Sequence, residues 1–301
     1  MSLLSVAQSS SALTFASNLD TSATEFVNGT GATCSATSYG TITQNNNSLT
    51  GSASFDFSSN GYTLFSHNPN GYGTSTVVLE VVFKRNSKPT SSAYLGRYLG
   101  ISIYGDGMSL WIDTNGYARG NMSNQSGSST SVAGSTNLCD GKWHHVVLSY
   151  QGSPNSFRLY VDGTLVSNAG TAGNIGRGSQ VTVGAYKSIS SSTPSGYFNG
   201  TIDFFAMYDM GGFNNTQIDA FVAAHVAEFA NRTVTATPMT AASEMPKVLA
   251  VHDVLYNLSV ADGAAYIFKL NSTLNDVYCA TSGHTFSGST SGQTYMPGLT
   301  P

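Results

Sequence analysis

The chain has 301 residues and a formal net charge of −4, with only 9% charged residues against roughly 25% in an average soluble domain. Its polarity comes instead from 32 Gly, 44 Ser and 32 Thr, and its 12 Lys plus Arg form no cluster, so no nucleic-acid partner is expected. With 40% hydrophobic and 11% aromatic residues the chain can bury enough apolar surface to offset the entropy of ordering, which describes a folded, loop-rich β-protein with a surface of hydroxyls and amides.

The N-terminal MSLLSVAQSSSALTF carries no Lys or Arg and only a broken apolar run, so no secretory signal is expected. Short β-prone runs between Gly, Ser, Asn and Asp clusters then predict strands at 11–15, 52–57, 76–83, 99–104, 109–113, 143–150, 157–161, 164–167, 180–185 and 196–208. Many short strands separated by turn signals indicate a sandwich or jelly roll, and without helices between them a parallel α/β sheet is excluded. The apolar run 77–83 is interrupted by Glu80 and falls far short of the roughly 18 residues a membrane helix needs. No membrane span is expected.

One helix is predicted, at 215–229, where Ile218, Phe221, Val222, Val226 and Phe229 make one apolar stripe and Asn215 or Thr216 supplies the cap. Stripes of this kind are core, so the helix is expected to lie against the edge or back of the sandwich. Beyond it, 233–243 is small and polar and contains Pro238, as a linker does. The domain reading is therefore a sandwich at 1–232, including the helix, and a short C-terminal extension at 233–301. That extension is read as a hairpin turning at Asp262-Gly263, followed by an extended Gly/Ser/Thr-rich tail.

Cys34, Cys139 and Cys279 are too few and too scattered for a metal site or a disulfide framework. Buried free thiols are the expectation, with one disulfide left open. Nine Asn-x-Ser/Thr sequons are close to what so much Asn, Ser and Thr gives by chance and mark nothing.

The densest run of chemically versatile residues is DGKWHHVVLSYQGSPNSFRLYVDGTLV, 140–166. Strand alternation puts Trp143 and His145 on one face and His144 on the other, so the adjacent histidines cannot converge on one metal or substrate atom. Asp162 and Gly163 both tolerate the positive φ of a two-residue type I′ turn. Trp143, His145, Asp162 and Gly163 are accordingly a structural signature, and no catalytic residue, metal ligand or cofactor is assigned.

This run resembles the "DGxWHHV … LYVDG" signature of laminin-G-like, concanavalin A-like jelly-roll domains. GYFNGTIDFFAMYDM, 196–210, is similar to a later strand of that family, and the likeness extends over about 10–230. It implies an all-β, antiparallel jelly-roll β-sandwich with one C-terminal helix. Function follows less directly, because this fold hosts lectins, glycan-binding modules, glucanases and structural domains. The glucanase branch carries E-x-D-x-E on one strand, whereas the four glutamates here, Glu25, Glu80, Glu228 and Glu244, have no Asp at that spacing. Calcium ligands of laminin-G-like domains come from rim loops, where Asp106 and Asp113 stand; turn formation accounts for both. Trp111 is either a sugar-stacking ring or core.

Two readings follow. The chain also resembles laminin-G-like domains of phage and large-virus structural proteins, which implies a non-enzymatic virion component (minor capsid, decoration or tail-associated) contacting other virion proteins or copies of itself through residues 233–301. The alternative is a carbohydrate-binding attachment or adhesion module at an extracellular surface, with glycans as partners and no ligand-binding residue specified.

Overall fold

The computed structural model describes residues 13–17, 19, 22–23, 36–45, 48–49, 53–66, 76–100, 107–124, 126–152, 156–171, 173, 175, 178–188, 193–211, 213–232, 267–268, 277–278 and 285–286. Its contacts divide the chain into two units, Met1–Val234 and Thr235–Pro301. In the second, three two-residue strands pair antiparallel: Ile267–Phe268, Val277–Tyr278 and Thr285–Phe286. The hairpin turn predicted at Asp262-Gly263 lies outside the described residues.

The first unit holds thirteen strands: β1 (Leu13–Ser17), β2 (Ala36–Asn45), β3 (Ser54–Ser66), β4 (Val77–Lys84), β5 (Ala93–Gly100), β6 (Gly107–Ile112), β7 (Ala118–Ser123), β8 (Ser129–Ala133), β9 (Trp143–Gln151), β10 (Ser156–Val161), β11 (Thr164–Gly170), β12 (Gly178–Val183) and β13 (Gly200–Asp209). They form one hydrogen-bonded network in the order β11-β10-β9-β4-β13-β3-β12-β5-β6-β7-β8, with β1 added to β13 and β2 to β3. The long strand β3 belongs to both layers of the sandwich. Its first half, Phe55–Phe57, pairs with β13, and its second half, Thr63–Ser66, pairs with β12.

The core lies between the layers. Leu79, Val81, Phe83, Val146 and Leu148 from one sheet share it with Leu95, Met108, Leu110, Ile112 and Met122 from the other. The sheets approach closely: a Cβ added at Gly120 on β7 would stand 2.4 Å from Leu148 Cδ1 on β9, so any larger residue there would have to displace Leu148.

The helix α1 (Asn215–Arg232) covers the outer face of β9-β4-β13, where Val78, Val82, Val147, Phe204, Ala206 and Tyr208 form a second apolar cluster with Ile218 and Val222. Its cap falls one residue earlier than the sequence suggests. Asn214 Oδ1 accepts from the Gln217 N–H at 3.0 Å, and Gln217 Oε1 accepts from the Asn214 N–H at 2.9 Å, a reciprocal box that Asn215 and Thr216 cannot build because neither has a glutamine three residues on.

Five strands depart from the sequence expectation; one of them, β3, runs on to Ser66 instead of ending at the predicted 57. β2, β7 and β8 have few large apolar residues and were not predicted, and the strand expected at 99–104 is found earlier, at Ala93–Gly100. Its Gly96 and Arg97 obscure the alternation, and residues 101–106 lie outside the described set.

Candidate functional site

The two outer faces of the sandwich differ in what covers them. On β6 and β7 buried and half-buried residues alternate strictly from Met108 onward, as they do in a sheet with one face on the core and one in solvent. Trp111 stands on that solvent face at the centre. On one side of it lies a hollow of about 210 Å³ lined by Tyr94, Arg97, Ser109, Asn121, Ser123 and Tyr186. On the other lies one of about 350 Å³ lined by Asp113, Arg119 and residues 131–133. The indole is thus a ridge between two depressions.

Neighbouring strands hold the ridge in place. The Tyr94 ring lies 5.5 Å from Trp111 and 4.9 Å from Tyr186, and the Arg97 guanidinium stacks 4.0 Å from the Tyr186 centroid. Arg97 is fixed in turn by donating to the Lys187 carbonyl at 3.0 Å. Burial, reinforced by Tyr186 and opposed by Arg97, raises the Tyr94 phenol above its ordinary value, so it remains a hydrogen-bond donor across the physiological range. Asn121 donates to Ser131 Oγ at 3.0 Å and accepts from Ser123 Oγ at 3.3 Å, a polar lattice beside the rings.

Asp113 closes the far end. Its Oδ1 accepts from the Asn115 and Tyr117 N–H groups at 2.8 and 3.0 Å, and its Oδ2 from Arg119 Nε at 2.7 Å. Burial pushes its pKa up, but the Tyr117, Arg119 and Asn115 donors outweigh this and hold the carboxylate below its usual range. Its oxygens are occupied by the turn and by an arginine. Asp106 lies outside the described residues, and among those described no group of three or more His, Cys, Asp or Glu is placed to hold a metal ion. Among the described residues Asp113 is the one carboxylate lining the two hollows.

The 140–166 run builds a latch. Asp162 and Gly163 turn from β10 into β11 with φ of 48° and 81°, and a Cβ at Gly163 would stand 2.8 Å from Val226 Cγ1 on α1. The Asp162 carboxylate accepts from the His145 backbone N–H at 2.8 Å and meets His144 Nδ1 at 2.9 Å, while His144 Nε2 meets Asp140 at 3.0 Å. Burial lowers the His144 pKa, but Asp162 and Asp140 together raise it above its ordinary value.

His145 points the other way, beneath the helix. Its Nε2 donates to Glu80 Oε1 at 2.7 Å; His225 Nδ1 donates to the same carboxylate at 2.9 and 3.0 Å, and the Tyr208 hydroxyl donates to Oε2 at 2.7 Å. Glu80 is completely buried. Burial alone would raise its pKa, yet His225 and His145 hold it well below the carboxylate range. Burial and then Glu80 push the Tyr208 phenol well above its own. The donors surround one carboxylate with no space for a reactant, so this cluster fastens α1 to the sheet. Trp143 lies at the start of the same strand, under the Lys84 ammonium at 4.9 Å.

The family described as concanavalin A-like lectin/glucanases superfamily (Laminin_G_3) matches residues 57–218, more than half of the chain. The chain belongs to this superfamily. Among solved structures it is similar to the binding domain of Paraclostridial Mosquitocidal Protein 1, with a TM-score of 0.54 at 11% identity over 73% of this chain and 53% of that one. It is also similar to botulinum neurotoxin type C, in a structure that concerns cell entry dependent upon interaction with two ganglioside molecules (TM-score 0.53, 14% identity, 71% and 51% covered). A third is the binding domain of Botulinum Neurotoxin DC in complex with SialylT (0.52, 13%, 71% and 51%). The chain spans about half the length of these solved chains, and likeness at such identity concerns the fold. No curated protein sequence matches.

Within this lectin-like sandwich, sequence reading singled out Trp111 and Asp113 but not the residues around them. Tyr94, Arg97 and Tyr186 come from β5 and the loop after β12, and only strand order brings them to Trp111. Of the cysteines, Cys139 is buried and free, and burial raises its thiol pKa; Cys34 and Cys279 lie outside the described residues. No helix among the described residues is long and apolar enough to cross a membrane.

Proposed function

We propose that the chain is a non-enzymatic carbohydrate-binding module, used for attachment or adhesion, which binds glycans across the outer face of β5-β6-β7-β8. The observation that carries this reading is Trp111 standing between two hollows, with polar forks from Arg97, Asn121 and Arg119 on either side. A ring face of this kind stacks on the C–H face of a pyranose, and the forks take its hydroxyls in pairs. The similar solved structures support it: two are binding domains, and the botulinum neurotoxin type C structure concerns cell entry dependent on ganglioside molecules. Of the two readings drawn from the sequence, these relatives favour the attachment module, while a virion component rests on composition and resemblance alone.

A glycan array with the full chain, with and without calcium, tests the reading, followed by calorimetry on the retained glycan. Trp111→Ala is expected to weaken binding about tenfold or more, as truncation of a central aromatic contact does, with the circular dichroism spectrum unchanged. An array with no retained glycan, or a Trp111→Ala protein that binds as tightly as the parent, overturns it.

A further inference from the structure

A second cleft, of about 580 Å³, shares none of its lining residues with the hollows beside Trp111. Its walls include Thr43, Asp56, Lys84, Arg85, Asn86 and Thr201. The unusual member is Arg85, a cation only 8% exposed. It donates from Nε to the Ser87 carbonyl and from Nη1 to the Asn199 carbonyl, each at 2.7 Å. Among the described residues no carboxylate pairs with it. Its remaining terminal nitrogen makes no hydrogen bond there.

Burying a charge without a counter-ion is costly, and structures avoid it unless the site has a further task. Burial indeed lowers the Arg85 pKa. The cleft's other cation, Lys84, is held over Trp143 by its ring and forms no ion pair among the described residues. Among the described residues of the lining the one carboxylate is Asp56, which accepts from Thr201 Oγ1 at one oxygen and from Asn45 Nδ2 at the other and pairs with neither cation. Two cations against one carboxylate leave the described lining of the cleft with a net positive charge.

We propose that this cleft binds an acidic saccharide through its sulfate or carboxylate, with Arg85 as the fixed anchor and Lys84 as the second positive charge. A guanidinium offers paired donors that match a planar or tetrahedral oxyanion. The cleft is far larger than one oxyanion and lies within the size range of small-ligand sites. Its hydroxyl and amide walls, from Thr43, Ser58, Asn86 and Thr201, suit the hydroxyls of a sugar carrying that group. This site is independent of the Trp111 face.

The test is calorimetric titration of the full chain, at matched ionic strength, with a sulfated disaccharide, a uronate-bearing disaccharide, the neutral disaccharide and sodium sulfate. At least one acidic sugar is expected to bind about tenfold or more tighter than the neutral one. Lys84→Gln, which breaks no hydrogen bond, should weaken that binding severalfold, Arg85→Lys should abolish it, and Trp111→Ala should leave it unchanged. Acidic and neutral sugars binding alike, or neither acidic sugar binding, overturns the proposal, as does Lys84→Gln binding like the parent. Free sulfate binding as tightly as the disaccharide would mean an adventitious ion only and overturns it too. Loss on Trp111→Ala would place the acidic sugar on the Trp111 face and has the same consequence.

Discussion

The two sheets of this sandwich treat their outer faces in opposite ways. β4, β9 and β13 are buried on both sides, one against the core and one under α1, and a charged cluster is sealed into the covered side. β6, β7 and β8 bury one side and leave the other to solvent, where Trp111, Arg119 and Asn121 are half-buried. Ionisable groups thus do opposite work on the two faces: under the helix they are saturated by one another, and on the bare face they line hollows. Chemical versatility in a side chain is therefore a poor guide to function until its surroundings are known. His144, His145 and His225 are locked in hydrogen bonds, and Trp111 stands half-exposed.

The largest effect that would break this contrast is expected at Glu80. Glu80→Ala leaves two buried imidazoles and a phenol without their acceptor and should cost about 3–5 kcal/mol in urea unfolding, while glycan binding by the protein that remains folded is unchanged. The same carboxylate gives an acid limb. Because its folded pKa is depressed, its contribution is present above about pH 4 and is lost as pH falls through the lower folded value, so stability should decline on acidification and Glu80→Gln should flatten that decline.

Next comes Gly163→Val, which forces a β-branched residue to positive φ and against Val226. A loss of about 2 kcal/mol is expected from thermal melts, with α1 losing protection in hydrogen exchange. Trp111→Ala sharpens the contrast from the other side: it should lower stability by about 1 kcal/mol or less while weakening glycan binding at the outer face of β5-β6-β7-β8 about tenfold or more. The smallest effect concerns His144. Its raised folded pKa means that its contribution is present below about pH 6.5 and is lost as pH rises through the folded value. Asp162→Asn should reduce that slope in pH-dependent melts without altering the Glu80 limb.

Much of the fold was legible because alternation and turn chemistry are local. WHHVVLSY could be divided into two faces from spacing alone, and Asp162-Gly163 named its own turn. The strands β2, β7 and β8 were not legible, since ATSYGTITQN, ARGNMS and STSVA carry little apolar signal and owe their pairing to neighbours. The same limit applies to the sites. Glu80 stood out as a charge inside an apolar strand, but its partner His225 lies 145 residues away. Trp111 was visible as a ring on a strand, whereas Tyr94 and Tyr186 join it only through the β12-β5-β6 order. Arg85 gave no signal, because a buried arginine without a carboxylate reads in sequence like any other arginine.

The position of β13 bears on how the molecule is made. It is the last strand of its unit, yet it lies inside the sheet, with β4 along one edge and β3 and then β1 along the other. A growing chain on the ribosome can form the β9–β10–β11 meander early, but it cannot close the sandwich until residues 200–209 have emerged. Until then β4 and β3 expose unpaired backbone edges of the kind that recruit other strands. Every nascent copy passes through that open interval, and pairings this distant in sequence are slow to form. Truncation just before Gly200 would make the interval permanent, so yield in a cell should depend on what shields those edges during synthesis as much as on the stability of the finished fold.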